Sequence, residues 1–161
     1  MESEVVIRPA RQEECVEISA IIIEESKKSP VLKRTPEEIA ALLANYFVAV
    51  YSDEIIGTCG FKIWPGRQPE IISLVVKEER RGNGIGSRLV QVCLQEIKSR
   101  GFSTAFTFST RPGFFEELGF QRVDPRFFPQ KIWEDCQFCS KNAGSPVSPK
   151  CDESAMYLIM R

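Results

Sequence analysis

Apolar positions along the chain alternate between two spacings, one typical of strands and one typical of helices. Short runs of β-branched and aromatic residues predict strands, and apolar residues repeating every three or four positions predict amphipathic helices. The pattern predicts strands at residues 5–8, 46–51, 55–63, 70–76, 104–108 and 154–160, and helices at 12–25, 36–43, 87–99 and 114–118. This alternation predicts a mixed α/β (α+β) fold.

Polar residues between these runs give several element boundaries. Thr35 precedes a proline and stands three residues before Glu38, which is typical of a capped helix start. Residues 52–54 are polar and separate two strand-like runs, so they predict a β-hairpin. The segment 65–69 contains Pro and Gly and predicts the turn before the strand at 70–76.

The length of 161 residues allows one well-packed core and is short for two ordinary domains. We therefore expect a single domain over residues 1–161, with an irregular cysteine-containing insert at about 124–152. Hydrophobic residues make up 43% and charged residues 27%, as in soluble globular proteins. No apolar run approaches the roughly 20 residues of a bilayer-spanning helix, so no membrane partner is expected.

The formal net charge of −1 argues against a nucleic-acid partner, because nucleic-acid-binding surfaces are normally strongly basic. The first four residues, Met-Glu-Ser-Glu, are acidic and lead directly into a predicted strand, unlike a signal peptide. These features predict a cytoplasmic protein, and a homodimer is left open.

The segment 81–86, Arg-Gly-Asn-Gly-Ile-Gly, joins a predicted strand to a predicted helix. Glycines allow unusual backbone dihedrals and let N–H groups approach an anion, while a helix N-terminus adds partial positive charge. Together these features predict a turn that binds the phosphates of a cofactor.

Two other phosphate-binding motifs do not fit this segment. A dinucleotide fingerprint needs G-x-G-x-x-G and an acidic residue about 20 positions on, but the spacing here is G-x-G-x-G and residues 101–108 contain no Asp or Glu. A P-loop ends in Gly-Lys-Ser/Thr, whereas Ser-Arg follows the last glycine here. A turn without a ligand is the remaining alternative, although an ordinary turn needs only one or two glycines.

The turn and its strand resemble the acetyl-CoA site of GNAT-type N-acetyltransferases, written Arg/Gln-x-x-Gly-x-Gly/Ala after a strand L-x-V. Leu74 and Val76 match the strand, and Arg81, Gly84 and Gly86 match the turn. The resemblance implies a GNAT fold, whose central, mostly antiparallel twisted sheet is splayed at the cofactor strand and flanked by helices. It also implies acetyl-CoA as co-substrate, bound by Leu74, Val75, Val76, Arg81, Gly82, Asn83, Gly84, Ile85, Gly86 and Ser87.

Residues 114–120, Phe-Phe-Glu-Glu-Leu-Gly-Phe, resemble the family segment F-Y-x-x-L-G-F, which packs beside the thioester. Phe115 stands where many relatives have a tyrosine that protonates the departing CoA thiolate. A thiolate whose conjugate acid has a pKa of about 8.5 is a tolerable leaving group without a proton. The loss of this acid is therefore expected to be small.

Two later segments narrow the resemblance within the family. Residues 131–139, Lys-Ile-Trp-Glu-Asp-Cys-Gln-Phe-Cys, and 151–156, Cys-Asp-Glu-Ser-Ala-Met, resemble the tail of short-form amino-acid N-acetyltransferases. Those are single-domain N-acetylglutamate synthases of arginine biosynthesis. Residues 109–111, Ser-Thr-Arg, and 32–35, Leu-Lys-Arg-Thr, resemble further segments of glutamate-acetylating domains.

A glutamate acceptor carries two carboxylates, which arginine binds best because its planar fork pairs with both oxygens. Arg111 is the first candidate, since it lies between a predicted strand end and a short helix. The full set of candidates is Arg34, Arg67, Arg111 and Lys131. The alternative for each is a solvated surface charge.

The acceptor amine must lose a proton before it attacks the thioester, and the chain contains no histidine to accept it. Glu70 matches the glutamate of the family segment E-I/L-x-x-L-x-V, so the resemblance assigns it as the base, acting through water. The alternative is a surface glutamate at a strand end. The N–H of Val76 would polarise the thioester carbonyl, a role that needs no special side chain.

The six cysteines form two groups. Those on apolar faces are expected in the core: Cys15, Cys59 and Cys93. The others form a C-x-x-C pair with a third cysteine, for which we weigh free thiols first, then zinc, then a disulfide: Cys136, Cys139 and Cys151. Zinc would need a fourth ligand that is not histidine.

The sequence therefore predicts an acetyl-CoA-dependent N-acetyltransferase for an α-amino acid, with L-glutamate as the first choice and direct acetyl transfer as the mechanism. Acetylation of another small amine or of a protein N-terminus is the alternative on the same fold. A non-catalytic, acetyl-CoA-binding regulatory domain is the alternative of a different class, because of Phe115.

Overall fold

A computed structural model gives the structure of residues 4–29, 31–66, 68–128 and 153–160. The strands in these ranges are β1 (Val6–Pro9), β2 (Tyr46–Tyr51), β3 (Glu54–Trp64), β4 (Gln68–Val76), β5 (Thr104–Ser109), β6 (Gln121–Val123) and β7 (Ser154–Ile159). The α-helices are α1 (Cys15–Ser26), α2 (Pro36–Ala41), α3 (Ile85–Ser99) and α4 (Pro112–Glu117). The predicted mixed α/β fold is confirmed.

The seven strands hydrogen-bond in the order β1-β2-β3-β4-β5-β7-β6. The pairs β1–β2, β2–β3, β5–β7 and β6–β7 are antiparallel, whereas β4 and β5 run parallel with Glu70 opposite Phe106. This is the mostly antiparallel sheet with flanking helices that the resemblance implies.

The contacts within the chain define two compact units. The first contains Met1–Lys62 and Ile71–Gly101. Its core joins the apolar stripe of α1 and one residue of α2 to residues of three strands: Cys15, Ile18, Ile22, Ile39, Tyr46, Val48, Ile55, Ile72 and Val75. The helix α3 buries a stripe of its own, formed by Ile85, Leu89, Val90, Cys93 and Ile97. These stripes recur every three to four residues, which is why the helical pattern was readable from the sequence.

The second unit contains Ile63–Glu70 and Phe102–Arg161. Its core is aromatic and includes Trp64, Phe106, Phe128 and Ala155. The rings of Phe106 and Phe128 stack with centroids 3.9 Å apart and planes 6° from parallel. The prediction of a single domain stays a prediction, and residues 129–152, most of the predicted insert, lie outside the described ranges.

The three cysteines expected in the core, Cys15, Cys59 and Cys93, are buried free thiols. A hydrogen bond with Cys59, together with burial, holds the pKa of the Cys93 thiol well above its ordinary value. Burial also raises the pKa of the Cys15 thiol. Both thiols therefore stay protonated at neutral pH and behave as small apolar groups.

Several predicted boundaries differ from the structure by one to three residues. The helix expected at 12–25 begins with a 3-10 turn, Gln12–Glu14, because the Glu14 carboxylate turns back to accept the N–H of Arg11 at 2.8 Å. The helix expected to reach 43 ends at Ala41, and a 3-10 turn follows at Leu43–Asn45. The turn expected at 65–69 is shorter, since β4 begins at Gln68.

The strand β6 was not predicted, because three residues are too few to show a period of two. The hairpin expected at 52–54 is confirmed, and its tight connection is Ser52 and Asp53, both with positive φ. No helix within the described ranges is long and apolar enough to cross a membrane.

Candidate active site

The glycine turn between β4 and α3 depends on left-handed backbone at two positions. Gly82 has a φ of +84° and Gly84 a φ of +75°, and a Cβ added at either would have no neighbour within 4 Å. Glycine is therefore required here by the dihedral and not by crowding. The same geometry leaves open space beside the backbone of the turn.

The turn ends at the N-terminus of α3, a helix of 15 residues. The N–H of Arg88 donates to the carbonyl of Gly84 at 3.1 Å, which closes the first turn of the helix. The N–H groups of Ile85, Gly86 and Ser87 precede that bond, so they have no acceptor within the helix. The first turn also carries no acidic residue. These amides and the positive end of the helix suit an anionic ligand.

The side chain of Arg81 braces this turn. Its Nε–H donates to the carbonyl of Val76 at 3.0 Å, and its Nη2 lies 2.7 Å from Oε1 of Glu25 in α1. The neighbouring Asn83 donates from Nδ2 to the carbonyl of Arg80 at 3.1 Å. The guanidinium therefore holds the protein's own groups in this arrangement, and the turn offers an anion mainly backbone N–H groups.

The end of β4 lies against β3 without an intervening side chain. A Cβ at Gly57 would lie 3.0 Å from the carbonyl oxygen of Val75 and 3.4 Å from Cγ2 of Val76. The N–H of Lys77 donates to the carbonyl of Ile56 at 2.8 Å, which fixes the strand end. Of the cofactor candidates here, Val75 is buried, while Leu74 and Val76 are half-buried.

Ser73 interrupts the regular backbone of β4. It has a φ of +58°, a conformation that costs a non-glycine residue roughly 1–2 kcal/mol. Its hydroxyl forms a hydrogen bond of 2.9 Å with the hydroxyl of Tyr46 in β2, and both residues are buried. Burial raises the pKa of Tyr46, opposed by the Ser73 hydrogen bond and by the charge of Arg34.

Sequence reasoning did not find this pair of hydroxyls. A serine inside a strand carries no signal for positive φ. The only available sign was Tyr46 in a hairpin whose opposite strand contains Gly60, because an aromatic ring often covers a cross-strand glycine.

Glu70 is buried, with 2% of its surface exposed. Its Oε1 accepts the indole N–H of Trp64 at 2.9 Å, and Trp64 is itself 2% exposed. The alternative of a surface glutamate at a strand end is therefore wrong. A buried carboxylate in a fixed orientation suits a general base, because it is held in place by its surroundings.

Arg34 is a nearly buried cation of the first unit. Its side chain is only 10% exposed, and its Nε is buried with no hydrogen-bond partner among the described residues. Its Nη1 lies 3.7 Å from Oε2 of Glu38, a long and half-exposed ion pair. Ser19 donates its hydroxyl to the Arg34 carbonyl at 2.6 Å, which anchors the backbone. A buried guanidinium with an unpartnered donor is costly unless an anion completes it.

The other acceptor candidates are less informative. Arg111 is exposed and directly precedes α4, where its N–H donates to Oγ of Ser109 at 2.9 Å. Arg67 and Lys131 lie outside the described residues, as do Cys136, Cys139 and Cys151. Within the described ranges, no group of three or more His, Cys, Asp or Glu residues could hold a metal ion.

Phe115 is a packing residue of the second unit. It is 4% exposed and makes edge-to-face contacts with Phe114 and Phe120, whose centroids lie 5.0 and 5.2 Å away. Its aromatic ring therefore has a structural explanation that does not involve a proton.

Comparison with known proteins identifies the family. The Acetyltransferase (GNAT) family matches residues 9–120. A relative from Chlorobaculum tepidum, described as the uncharacterized N-acetyltransferase CT2212, is 35% identical over 150 residues, which cover 93% of each chain.

Solved structures share the fold at low sequence identity. The structure of N-acetylglutamate synthase from Neisseria gonorrhoeae, complexed with coenzyme A and N-acetyl-glutamate, superposes with a TM-score of 0.81 at 21% identity. That match covers 100% of this chain and 36% of the synthase chain. Rv2747 from Mycobacterium tuberculosis, in complex with CoA and NLQ, superposes with a TM-score of 0.77 at 22% identity, over 97% of this chain and 99% of its own.

Proposed function

Because this chain belongs to the acetyltransferase (GNAT) family, we propose that it transfers the acetyl group of acetyl-CoA to the α-amine of an amino acid. L-glutamate is the proposed acceptor, which would make the protein a cytoplasmic enzyme of arginine biosynthesis. The observation that carries the acceptor class is Arg34, a nearly buried cation with an unpartnered Nε. A carboxylate of the amino-acid substrate would accept the hydrogen bond that the Arg34 Nε–H can donate.

The cofactor half of the proposal rests on the glycine turn. The pyrophosphate of acetyl-CoA would bind the amides at residues 82–87, while Leu74, Val75 and Val76 would bind the pantetheine arm. The open space beside Gly82 and Gly84 supports this arrangement. The N–H of Val76 would donate to the thioester oxygen and stabilise the negative charge that develops there.

The chemical step is direct transfer. Glu70, through a water molecule, would accept a proton from the ammonium form of the acceptor, and the free amine would attack the thioester carbon. A C–N bond forms, the C–S bond breaks, and the electron pair leaves with the CoA thiolate. The attacking nitrogen loses its second proton as the amide forms, and the departing thiolate can take it up. The protonated thiols of Cys15 and Cys93 make poor nucleophiles, which agrees with a mechanism that needs no acyl-cysteine.

A second carboxylate of the amino-acid substrate would bind one of the other candidate cations: Arg67, Arg111 or Lys131. The chain's likeness to N-acetylglutamate synthase supports the choice of glutamate only through the shared fold, since the identity is 21%. Turnover with glutamate must therefore be compared with turnover of other acceptors.

The test is acetyl-CoA turnover with a panel of glutamate, aspartate, glutamine, lysine and a peptide with a free N-terminus. Glutamate should give the highest kcat/KM. Arg34→Met should raise KM for glutamate by roughly 10- to 10³-fold, the range for losing one partner of a desolvated charge pair. Arg34→Lys should recover only part of the loss, because an ammonium lacks the planar fork.

Arg8 provides a matched control in the same unit. Its fork is already filled by Glu14, with N···O distances of 2.9 and 2.6 Å. Arg8→Met should lower the melting temperature without changing KM for glutamate. Arg34→Met should instead leave the free protein as stable as before or more so, because it removes a buried, unpartnered donor. A loss of stability with an unchanged glutamate KM would overturn the role of Arg34.

The non-catalytic alternative gains no support from Phe115, since its contacts explain the residue as part of an aromatic cluster. Absence of turnover with every acceptor, combined with tight acetyl-CoA binding, would nevertheless favour a regulatory domain. Preference for the peptide would favour acetylation of protein N-termini.

A further inference from the structure

Ser73 in strand β4 has a strained backbone conformation, which contacts from another strand must stabilise. Ser73 has a φ of +58°, and its position is followed directly by the three residues that would contact the pantetheine arm and thioester. The dihedrals of one residue set the direction of the chain that follows it. The direction of the N–H groups at 74–76 therefore depends on keeping Ser73 in the left-handed region.

The hydroxyl of Tyr46 is placed to do this. It hydrogen-bonds the Ser73 hydroxyl at 2.9 Å, with Tyr46 0% and Ser73 5% exposed, so water does not compete for the bond. A hydrogen bond shielded from water constrains its partners more strongly than an exposed one.

The neighbouring strand makes room for this contact. Gly60 lies opposite Tyr46 in the β2–β3 pair, and a Cβ there would lie 2.9 Å from the Tyr46 ring. The φ of Gly60 is not in the positive region, so glycine is needed for space and not for its dihedrals. The ring of Tyr46 thus occupies the space where any other residue at position 60 would carry its Cβ.

We propose that Tyr46 is a positioning residue of the acetyl-transfer site, which acts through Ser73 to aim the backbone of β4 at the thioester. The inference rests on the proposed use of acetyl-CoA and not on the identity of the acceptor. The glycine turn does not depend on Tyr46, because Arg81 and the α3 N-terminus hold it, and it would keep most of the cofactor affinity. Loss of the Tyr46 hydroxyl should therefore affect the thioester carbonyl more than binding.

The experiment compares wild type with Tyr46→Phe, Ser73→Ala and the double variant. Thr58→Val is the matched control, because Thr58 is a fully buried residue of the same unit whose hydroxyl donates to the Phe47 carbonyl at 2.9 Å. Each protein is saturated with acetyl-CoA carrying a ¹³C label at the thioester carbonyl, and isotope-edited infrared spectroscopy records its stretching frequency. Affinity, kcat and melting temperature are measured alongside.

The wild type should shift the carbonyl band to lower frequency, since hydrogen-bond donation polarises the C=O bond. Tyr46→Phe should reverse much of that shift and lower kcat by roughly 2- to 12-fold, the equivalent of one net hydrogen bond. The dissociation constant of acetyl-CoA should change less than kcat. The double variant should be no worse than either single one, because both remove the same bond.

Ser73→Gly supplies the rescue. Glycine takes positive φ without strain, so this variant should retain more kcat than Ser73→Ala although both lack the hydroxyl. Thr58→Val should lose stability while keeping the wild-type carbonyl band.

A carbonyl band in Tyr46→Phe equal to that of wild type would overturn the proposal, as would equal loss of kcat in Tyr46→Phe and Thr58→Val. The infrared measurement needs no acceptor. A wild-type band shift that disappears in Tyr46→Phe would therefore support the inference even if glutamate is not acetylated, whereas a wild type that binds no acetyl-CoA would overturn both proposals.

Discussion

Arg81 donates its Nε–H to the main-chain carbonyl of Val76 at 3.0 Å, which ties the start of the glycine turn back to the end of β4. The other end of the guanidinium pairs with Glu25 of α1. A residue that sequence patterns assign to phosphate binding is therefore occupied by structural contacts. Its charge still lies near the turn, but its hydrogen bonds shape the backbone that would face the cofactor.

This arrangement predicts that Glu25→Gln weakens acetyl-CoA binding. If Arg81 acts as a brace, loss of its ion pair loosens the turn and should reduce affinity by up to about 5-fold, the value of a partly exposed pair worth at most about 1 kcal/mol. If Arg81 instead acts as a phosphate ligand, Glu25→Gln frees the guanidinium, and affinity should rise. Isothermal titration calorimetry distinguishes the two signs, with Glu24→Gln, on the neighbouring exposed position, as the control.

The glycine turn predicts that Gly84→Asp abolishes acetyl-CoA binding in a folded protein. The substitution adds a negative charge and a side chain in the open space where the pyrophosphate would lie. Gly101→Asp is the matched control, since Gly101 follows the other end of α3, has a φ of +92° and also has open space around its Cβ position. Both variants should lose roughly 1–2 kcal/mol of stability from the left-handed backbone.

Calorimetry and thermal unfolding check this prediction together. Gly101→Asp should bind acetyl-CoA as wild type does. Unchanged affinity in a folded Gly84→Asp protein would show that the cofactor phosphates lie elsewhere.

The third prediction concerns the buried carboxylate. Glu70→Gln should lower kcat by roughly 10²-fold or more, because an amide cannot accept the proton. The Gln side-chain oxygen can still accept the indole N–H of Trp64, so the fold and acetyl-CoA affinity should be preserved. Wild-type kcat at neutral pH would transfer the role of base to water or to another carboxylate.

The fourth prediction concerns stability and pH. The fork of Arg8, by hydrogen bonding, holds the pKa of Glu14 below its ordinary value. The group therefore contributes stability above its unfolded pKa of about 4.3, and this contribution is lost as pH falls through the lower folded value. Glu14→Gln should cost about 1 kcal/mol at pH 7 and almost nothing at low pH, as measured by urea unfolding across the pH range.

A stability difference between Glu14→Gln and wild type that stays constant with pH would contradict the assigned cause. Glu24→Gln, which removes an exposed i,i+3 pair with Lys27, should show little effect at any pH.

The sequence predicted the long elements well, for a physical reason. The stripe of Leu89, Val90, Cys93 and Ile97 repeats at helical spacing, so α3 was found to within two residues at its start. Strand β6 has only three residues, and no periodicity can be read from so few. Tertiary contacts, and not local preference, define such a short strand.

The parts of the candidate site that bind through the backbone could be predicted from the sequence. The burial of its charged side chains could not. Glycine is the residue that readily adopts positive φ, so a turn of this kind at Gly82 and Gly84 can be predicted from the sequence. Arg34 and Glu70 belong to residue types that are mostly exposed, so their burial could only come from the structure.

The contact between Tyr46 and Gly60 depends on a register shift in the β2–β3 pair. Pairing outward from the two-residue hairpin turn would put Tyr46 opposite Cys59. Ala49 pairs with Gly57 and Val50 with Ile55, so Ile56 of β3 is an extra residue that shifts the register by one, and Tyr46 faces Gly60 instead.

This contact also restricts how the protein can change over evolution. With an aromatic ring at position 46, a Cβ at position 60 would approach it to 2.9 Å, so replacing Gly60 alone forces the two strands apart. Replacing Tyr46 alone by a small residue leaves a bare glycine and a gap in the core. Natural variants of this chain should therefore keep an aromatic ring at position 46 wherever position 60 is glycine, and the left-handed serine of β4 should be inherited with the tyrosine whose hydroxyl holds it.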